Sequence, residues 1–134
     1  MILVDTSALY ALANAGDPNH GEALRIMDGL LAAGEPILIH SYVVVETAAL
    51  LQGRAGHAAA EGFLREADGF EVEWVDRGIH REAAAMFRRL KSRTVSLVDC
   101  VSFTVMRTRG ITTAFAFDRH FVQQGFSLAS VPPR

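Results

Sequence analysis

Five short apolar runs, separated by longer segments of helical period, constrain this chain more than any other feature. The first is Ile2, Leu3 and Val4; the others fall at residues 36–40, 70–75, 111–117 and 126–131. Short runs rich in β-branched and aromatic residues read as strands, and the stretches between them repeat apolar residues every three or four positions. Strands alternating with helices predict a mainly parallel sheet covered on both faces, a three-layer α/β/α fold. Residues 70–75 alternate apolar with charged, the pattern of a half-exposed strand at a sheet edge. With 134 residues and no repeat or linker, a single domain over 1–134 is expected.

Local signals set the helix boundaries. Residues 6–15 predict a first helix closed by Gly16, and Asp17 and Pro18 predict a restart, as N-cap and first helical residue. Leu24, Met27, Leu30 and Leu31 mark the inner face of that second helix. Ser41 is expected to cap a helix over 42–52; residues 57–68 would turn Phe63, Leu64 and Ala67 inward; residues 79–91 would do so with Ala83, Met86, Phe87 and Leu90. Ser96 and Asp99 have the spacing of a capping box at the start of a largely apolar helix. A short helix over 119–124 precedes the last strand.

Charge is distributed unevenly. The chain carries −2 overall, yet residues 1–76 hold twelve acidic and three basic residues, and residues 77–134 hold ten basic and three acidic. Such asymmetry points either to a polyanionic partner or to solvated helix faces. Cys100 is the one cysteine and cannot form an internal disulfide; with no leader-like opening segment, a cytoplasmic location is expected. No run reaches the ~18 apolar residues of a membrane span.

Four carboxylates stand out. Asp5 follows the first strand and is trailed by Thr6 and Ser7, and Asp118 follows the fourth run in the same way. Glu46 has Tyr42, Val43, Ala49 and Leu50 as its helical neighbours, and Asp99 opens its helix. Capping accounts for Asp5 and Asp99 taken singly, and a buried ion pair or a snorkelling position at the edge of the stripe would account for Glu46. Convergence of all four would need a cation, because two carboxylates ~4 Å apart repel by roughly 4 kcal/mol at an effective dielectric near 20. Oxygen ligands without clustered Cys or His favour Mg2+ or Mn2+.

The segments 4–9 (Val-Asp-Thr-Ser-Ala-Leu), 43–51 around Glu46, 96–103 (Ser-Leu-Val-Asp-Cys-Val-Ser-Phe) and 116–121 (Ala-Phe-Asp-Arg-His-Phe), with Gly125 and Phe126 behind, together resemble PIN-domain ribonucleases. More narrowly, they are similar to VapC-type toxins of bacterial and archaeal toxin–antitoxin pairs. The resemblance spans nearly the whole chain. It implies strand order 3-2-1-4-5 and a catalytic, metal-binding set of Asp5, Glu46, Asp99 and Asp118, supported by the hydroxyl of Thr6 or Ser7. It further implies Mg2+ or Mn2+ as cofactor, hydrolysis of RNA phosphodiesters, a VapB-like antitoxin partner and a homodimer. Arg88, Arg89, Lys91 and Arg93 then become candidates for holding RNA phosphates, with a solvated helix face as the alternative. Asp17 and His20 match a loosely shared Asp-x-x-His feature, and Ala116 stands where many members carry a hydroxyl. A stand-alone RNA-processing nuclease and a non-cleaving PIN-fold module that binds RNA or protein are the competing readings. A haloacid-dehalogenase-type phosphatase would need a second Asp where Ser7 stands, and a receiver domain would need an acidic pair after the first strand.

Overall fold

Alternation along the first strand sets the layers: Ile2 and Val4 enter one core and Leu3 the other. The computed structural model describes residues 1–133, so Arg134, counted in the basic half, lies outside them. The elements run β1 (Ile2–Val4), α1 (Thr6–Ala13), α2 (His20–Ala32), β2 (Ile37–His40), α3 (Ser41–Ala55), α4 (His57–Ala67), β3 (Glu71–Glu73), α5 (Arg77–Leu90), α6 (Leu97–Arg109), β4 (Thr113–Phe115), α7 (His120–Gln123) and β5 (Ser127–Leu128). All pairings are parallel, in the order β3-β2-β1-β4-β5, with Leu3 opposite Leu38 on one side and Ala114 on the other. The three-layer expectation and the strand order both hold.

Ile2, Val4, Ile39 and Phe115 pack against α1 to α4 through residues such as Leu9, Ile26, Leu51 and Phe63. Leu3, Leu38 and Ala114 pack against α5 and α6 through Ala83, Val101, Phe103 and Met106. The chain lays β1, β2 and β3 outward, then crosses back to set β4 on the free side of β1. The carboxyl ends of β1 and β4 therefore flank the point where the order reverses, the place at which open α/β sheets bind ligands. As expected, the alternating run forms an edge strand, β3, and Trp74 beyond it is exposed.

Several local expectations are corrected. α1 stops at Ala13 because Asn14 leaves the helical path, its amide donating to the Tyr10 hydroxyl and its side-chain oxygen accepting from Gly16 N. α2 begins at His20 rather than Pro18; Asp17 instead closes a turn by accepting from Asn19 N at 2.8 Å. The buried face of α2 is Ala23, Ile26 and Met27, leaving Leu24 and Leu31 outside, and Leu64 on α4 is exposed likewise. α3 runs through Gly53 to Ala55 and breaks at Gly56, whose φ of 97° lies in the left-handed region glycine tolerates. Its cap is His40, not Ser41: His40 Nδ1 accepts from Tyr42 N and Val43 N, while the Ser41 hydroxyl accepts from Val75 N. On α5, Ala83 alone is fully buried, and Phe87 and Leu90, expected to face inward, are exposed at the helix end. β4 ends at Phe115, so Asp118 sits three residues beyond its strand, not directly on it as Asp5 does.

Candidate metal centre

Asp5 leaves β1 with extended backbone and caps α1, its Oδ2 accepting from Ser7 N at 3.1 Å and from Ser7 Oγ at 2.7 Å. Its own N–H donates to Phe115 O, and Ser7 Oγ accepts from Phe117 N at 3.0 Å. One serine thus ties the exits of β1 and β4 together. The capping reading of Asp5 is correct, but capping occupies only one of its two oxygens. Asp5 is 3% exposed, and its pKa is pushed up to about 6. Burial is the main cause, with the charges of Asp99 and Asp118 adding to it against the Ser7 hydrogen bonds.

Asp99 occupies the third position of α6 in the expected capping box: its Oδ2 accepts from Ser96 N at 3.0 Å, and its N–H donates to Ser96 Oγ at 3.1 Å. It is buried too, and burial raises its pKa, with Asp118 adding and the Ser96 bond and His120 opposing. Asp118 Oδ1 accepts from the backbone N–H of His120 at 2.8 Å. The His120 ring returns toward both acids, placing Nδ1 2.8 Å from Asp118 Oδ1 and 3.4 Å from Asp99 Oδ2. Among the described residues, Asp99, Asp118 and His120 each offer a ligand atom within 4.8 Å of the others. Asp5 joins them through charge, since it feels both acids.

His120 was not among the residues singled out from sequence. Its signal lay in the segment around Asp118, two positions past the acid. Glu46 stands apart: it is half-buried on α3, outside that group, with no hydrogen bond or ion pair among the described residues. The buried stripe of α3 runs through Val43, Thr47 and Leu51, with Ala49 exposed, so Glu46 edges the apolar face rather than interrupting it. Of the two hydroxyls after Asp5, Ser7 supports the acid, and Thr6 Oγ1 is buried without a partner. Asp17 and His20 serve the fold: His20 Nδ1 meets Ala11 O at 2.6 Å and ties α2 to the end of α1.

The basic half divides into tied and free cations. Arg109 pairs with Glu71 and Glu73 on the edge strand, and Arg107 bonds to Gln124 and lies over Phe126. Arg88, Arg89, Lys91 and Arg93 are exposed and unpaired among the described residues. They lead into a loop whose Thr94 Oγ1 lies 3.2 Å from His120 Nε2.

Three carboxylates, two of them buried with raised pKa, together with a buried His120 Nδ1 lacking a hydrogen-bond partner, fit a divalent cation. Ser7→Ala should expose how much this arrangement depends on the serine. It removes the bond that holds Asp5 charged and the acceptor for Phe117 N, so melting should drop by the equivalent of about 1–2 kcal/mol. Metal affinity should fall roughly 10–100-fold, as for other outer-shell partners. Thermal unfolding and metal titration of the variant check both.

The same architecture occurs in known proteins. The PIN-domain family matches residues 2–126. The chain is 42% identical over 129 residues to the 23S rRNA-specific endonuclease VapC20 of Mycobacterium tuberculosis, in strains H37Rv and CDC 1551 / Oshkosh, covering 94% of this chain and 95% of that protein. It is 26% identical over 123 residues to ribonuclease VapC26 of the same species, covering 90% and 89%. The crystal structure of M. tuberculosis VapC20, a sarcin-ricin loop cleaving toxin, superposes with a TM-score of 0.83 at 40% identity, covering 94% of this chain and 96% of that one. With the family matched over nearly the whole chain, the identity to VapC20 and the superposition on its crystal structure, the chain belongs to the PIN-domain family, among the VapC ribonucleases.

Proposed function

We propose that this chain, working as one PIN domain, is a divalent-metal-dependent endoribonuclease and the toxin of a toxin–antitoxin pair. Asp5, Glu46, Asp99 and Asp118 form its catalytic, metal-holding set. The observation that carries this reading is the meeting of Asp5, Asp99 and Asp118 where β1 and β4 end, in surroundings that raise the pKa of Asp5 and Asp99. Carboxylates that repel one another are stabilised as anions by a cation. Glu46 starts from the same edge of the sheet, on the helix that follows β2.

A bound Mg2+ or Mn2+ would supply Lewis-acid polarisation of the scissile phosphate and would lower the pKa of a water, easing loss of the proton that makes it a nucleophile. The protein's part is to position. Ser7 fixes Asp5 through Oδ2, and the Ser96 N–H fixes Asp99 through Oδ2. The unpaired cations Arg88 and Arg89 in the last turn of α5, with Lys91 and Arg93 on the loop leading to α6, hold RNA phosphates.

The likeness to a 23S rRNA-specific endonuclease supports ribosomal RNA as substrate class. The antitoxin and a second copy of the chain are proposed as partners; exposed Leu24 and Leu31 on α2 and Val45 on α3 offer apolar docking ground. No helix among the described residues is long and apolar enough to cross a membrane, in keeping with a cytoplasmic protein.

Purified protein incubated with ribosomes, free 23S rRNA, tRNA and mRNA in Mn2+ or Mg2+ tests the proposal. Cleavage that EDTA stops and Asp99→Asn removes is the expected result. Cleavage that persists in EDTA sinks the metal mechanism, and binding without cleavage of any RNA would make the chain a binding module. Arg88→Ala with Lys91→Ala should weaken RNA binding and lower the slope of log affinity against log salt by roughly 1–2. An unchanged slope would return these residues to a solvated helix face.

A further inference from the structure

We propose that His120 is itself a ligand, giving Nδ1 to the cation that Asp99 and Asp118 hold, and that this nitrogen makes the centre prefer Mn2+ over Mg2+. The inference rests on the metal-centre reading above and adds a donor to it. His120 Nδ1 lies 2.8 Å from Asp118 Oδ1 and 3.4 Å from Asp99 Oδ2, yet it has no hydrogen-bond partner and no access to solvent. The short approach to Asp118 therefore lacks hydrogen-bond geometry. A buried ring nitrogen beside two carboxylate oxygens, without a proton shared among them, is arranged as a donor atom.

The far side of the ring supports the same role. His120 Nε2 faces Thr94 Oγ1 at 3.2 Å. A metal-bound histidine characteristically places its other ring N–H on an oxygen, which fixes the tautomer and leaves a lone pair for the metal. With the proton on Nε2, Nδ1 is the bare nitrogen. The ring is also anchored by its neighbours. Its backbone N–H is held by Asp118 Oδ1, and the next residue, Phe121, is fully buried, edge-on to Phe103 of α6 at 5.1 Å. The imidazole is thereby fastened to the same helix that carries Asp99. An imidazole ligand biases a site toward transition metals, while an all-oxygen set suits Mg2+ equally well.

The arrangement also links the centre to the basic loop. Thr94 follows Lys91 and Arg93, and its hydroxyl also lies within reach of Ser92 Oγ. His120 therefore spans from the acids to the segment proposed to hold RNA, and Thr94 acts on the metal only by orienting the ring.

Mn2+ is the probe. Pulsed electron paramagnetic resonance on the Mn2+-loaded protein should show modulation from an imidazole nitrogen that shifts with 15N-histidine labelling and disappears in His120→Ala. Calorimetric titration should show His120→Ala weakening Mn2+ at least tenfold and Mg2+ by less, with Thr94→Val intermediate. His120→Asn, which keeps a polar residue at the start of α7, guards against a folding artefact and should also lose the nitrogen signal. Mn2+ bound in an Asp99-dependent way but without nitrogen modulation overturns this proposal alone, leaving His120 as a counter-charge to the acids. Failure of Mn2+ to bind, or binding indifferent to Asp99→Asn, overturns the metal-centre reading and this inference with it.

Discussion

Asp5→Asn is expected to abolish RNA cleavage and, in the same protein, to raise unfolding stability at pH 7.5 by about 3 kcal/mol when no metal is present. Burial and the nearby acids lift the Asp5 pKa from its ordinary 3.8 to about 6. Between those values the folded state holds a proton that the unfolded state has released, so stability falls as pH rises from 3.8 through 6 and the full cost is present above 6. Asparagine keeps the shape and the oxygen that accepts from Ser7 but carries no charge to desolvate. Its advantage should therefore vanish near pH 4. A gain of this size corresponds to roughly 10 °C in melting temperature. Mn2+ should erase and then reverse the order: a hundredfold excess over Kd stabilises the wild type by about 2.7 kcal/mol, nearly closing the gap, and a thousandfold excess by about 4.1 kcal/mol, while either should do little for the variant. Melting curves in EDTA and in Mn2+, from pH 4 to 7.5, check each part. An Asp5→Asn protein that melts below wild type in EDTA at pH 7.5 would mean that the acid is stabilised by its surroundings rather than strained by them.

What could be read from the chain followed from how local the determining physics was. The strand order came with the resemblance, while the layers came from period-two and helical patterning, which depends on neighbours a few residues away. The capping box of Ser96 and Asp99 was legible for the same reason. Leu24, Leu31 and Leu64 were assigned to the wrong side, because a helix presents two adjacent apolar flanks and only the tertiary neighbours choose between them. Asp118 was expected directly on its strand; the chain instead runs on through Ala116 and Phe117, with Phe117 N held by Ser7, 110 residues away in sequence. His120 was missed because Asp99 and Thr94, distant in the chain, define its role, and the His40 cap was missed because Ser102, 62 residues away, fixes the ring for its local bonds to Tyr42 N and Val43 N. Glu46 drew attention as a charge in an apolar stripe, and the structure moves it to the edge of that stripe.

His40 should make the fold acid-sensitive, and Asp5 should largely conceal it. His40 is completely buried; its Nδ1 accepts from Tyr42 N and Val43 N at the start of α3, so Nε2 carries the proton and donates to Ser102 Oγ at 2.8 Å. Burial pulls its pKa down from 6.5 to about 3. A protonated ring would also turn a second N–H toward two donors. The unfolded chain binds this proton below pH 6.5 and the folded chain does not, so stability present at neutral pH is lost as pH falls, by about 3 kcal/mol at pH 4. Over the same interval the wild type regains most of the cost of a charged Asp5, and Asp99, also raised, acts in the same direction. The two effects oppose, and the wild-type stability profile between pH 7 and pH 4 should be shallow in EDTA. Asp5→Asn removes the compensation and should fall steeply over that range. His40→Asn keeps an acceptor for the α3 cap but loses the Ser102 contact and leaves a cavity, so it should be less stable at pH 7 by about 2–3 kcal/mol and then close that gap on acidification. Chemical denaturation of the three proteins at pH 7, 5.5 and 4 measures both slopes. Parallel profiles for wild type and His40→Asn would show that the buried imidazole is not the group that titrates.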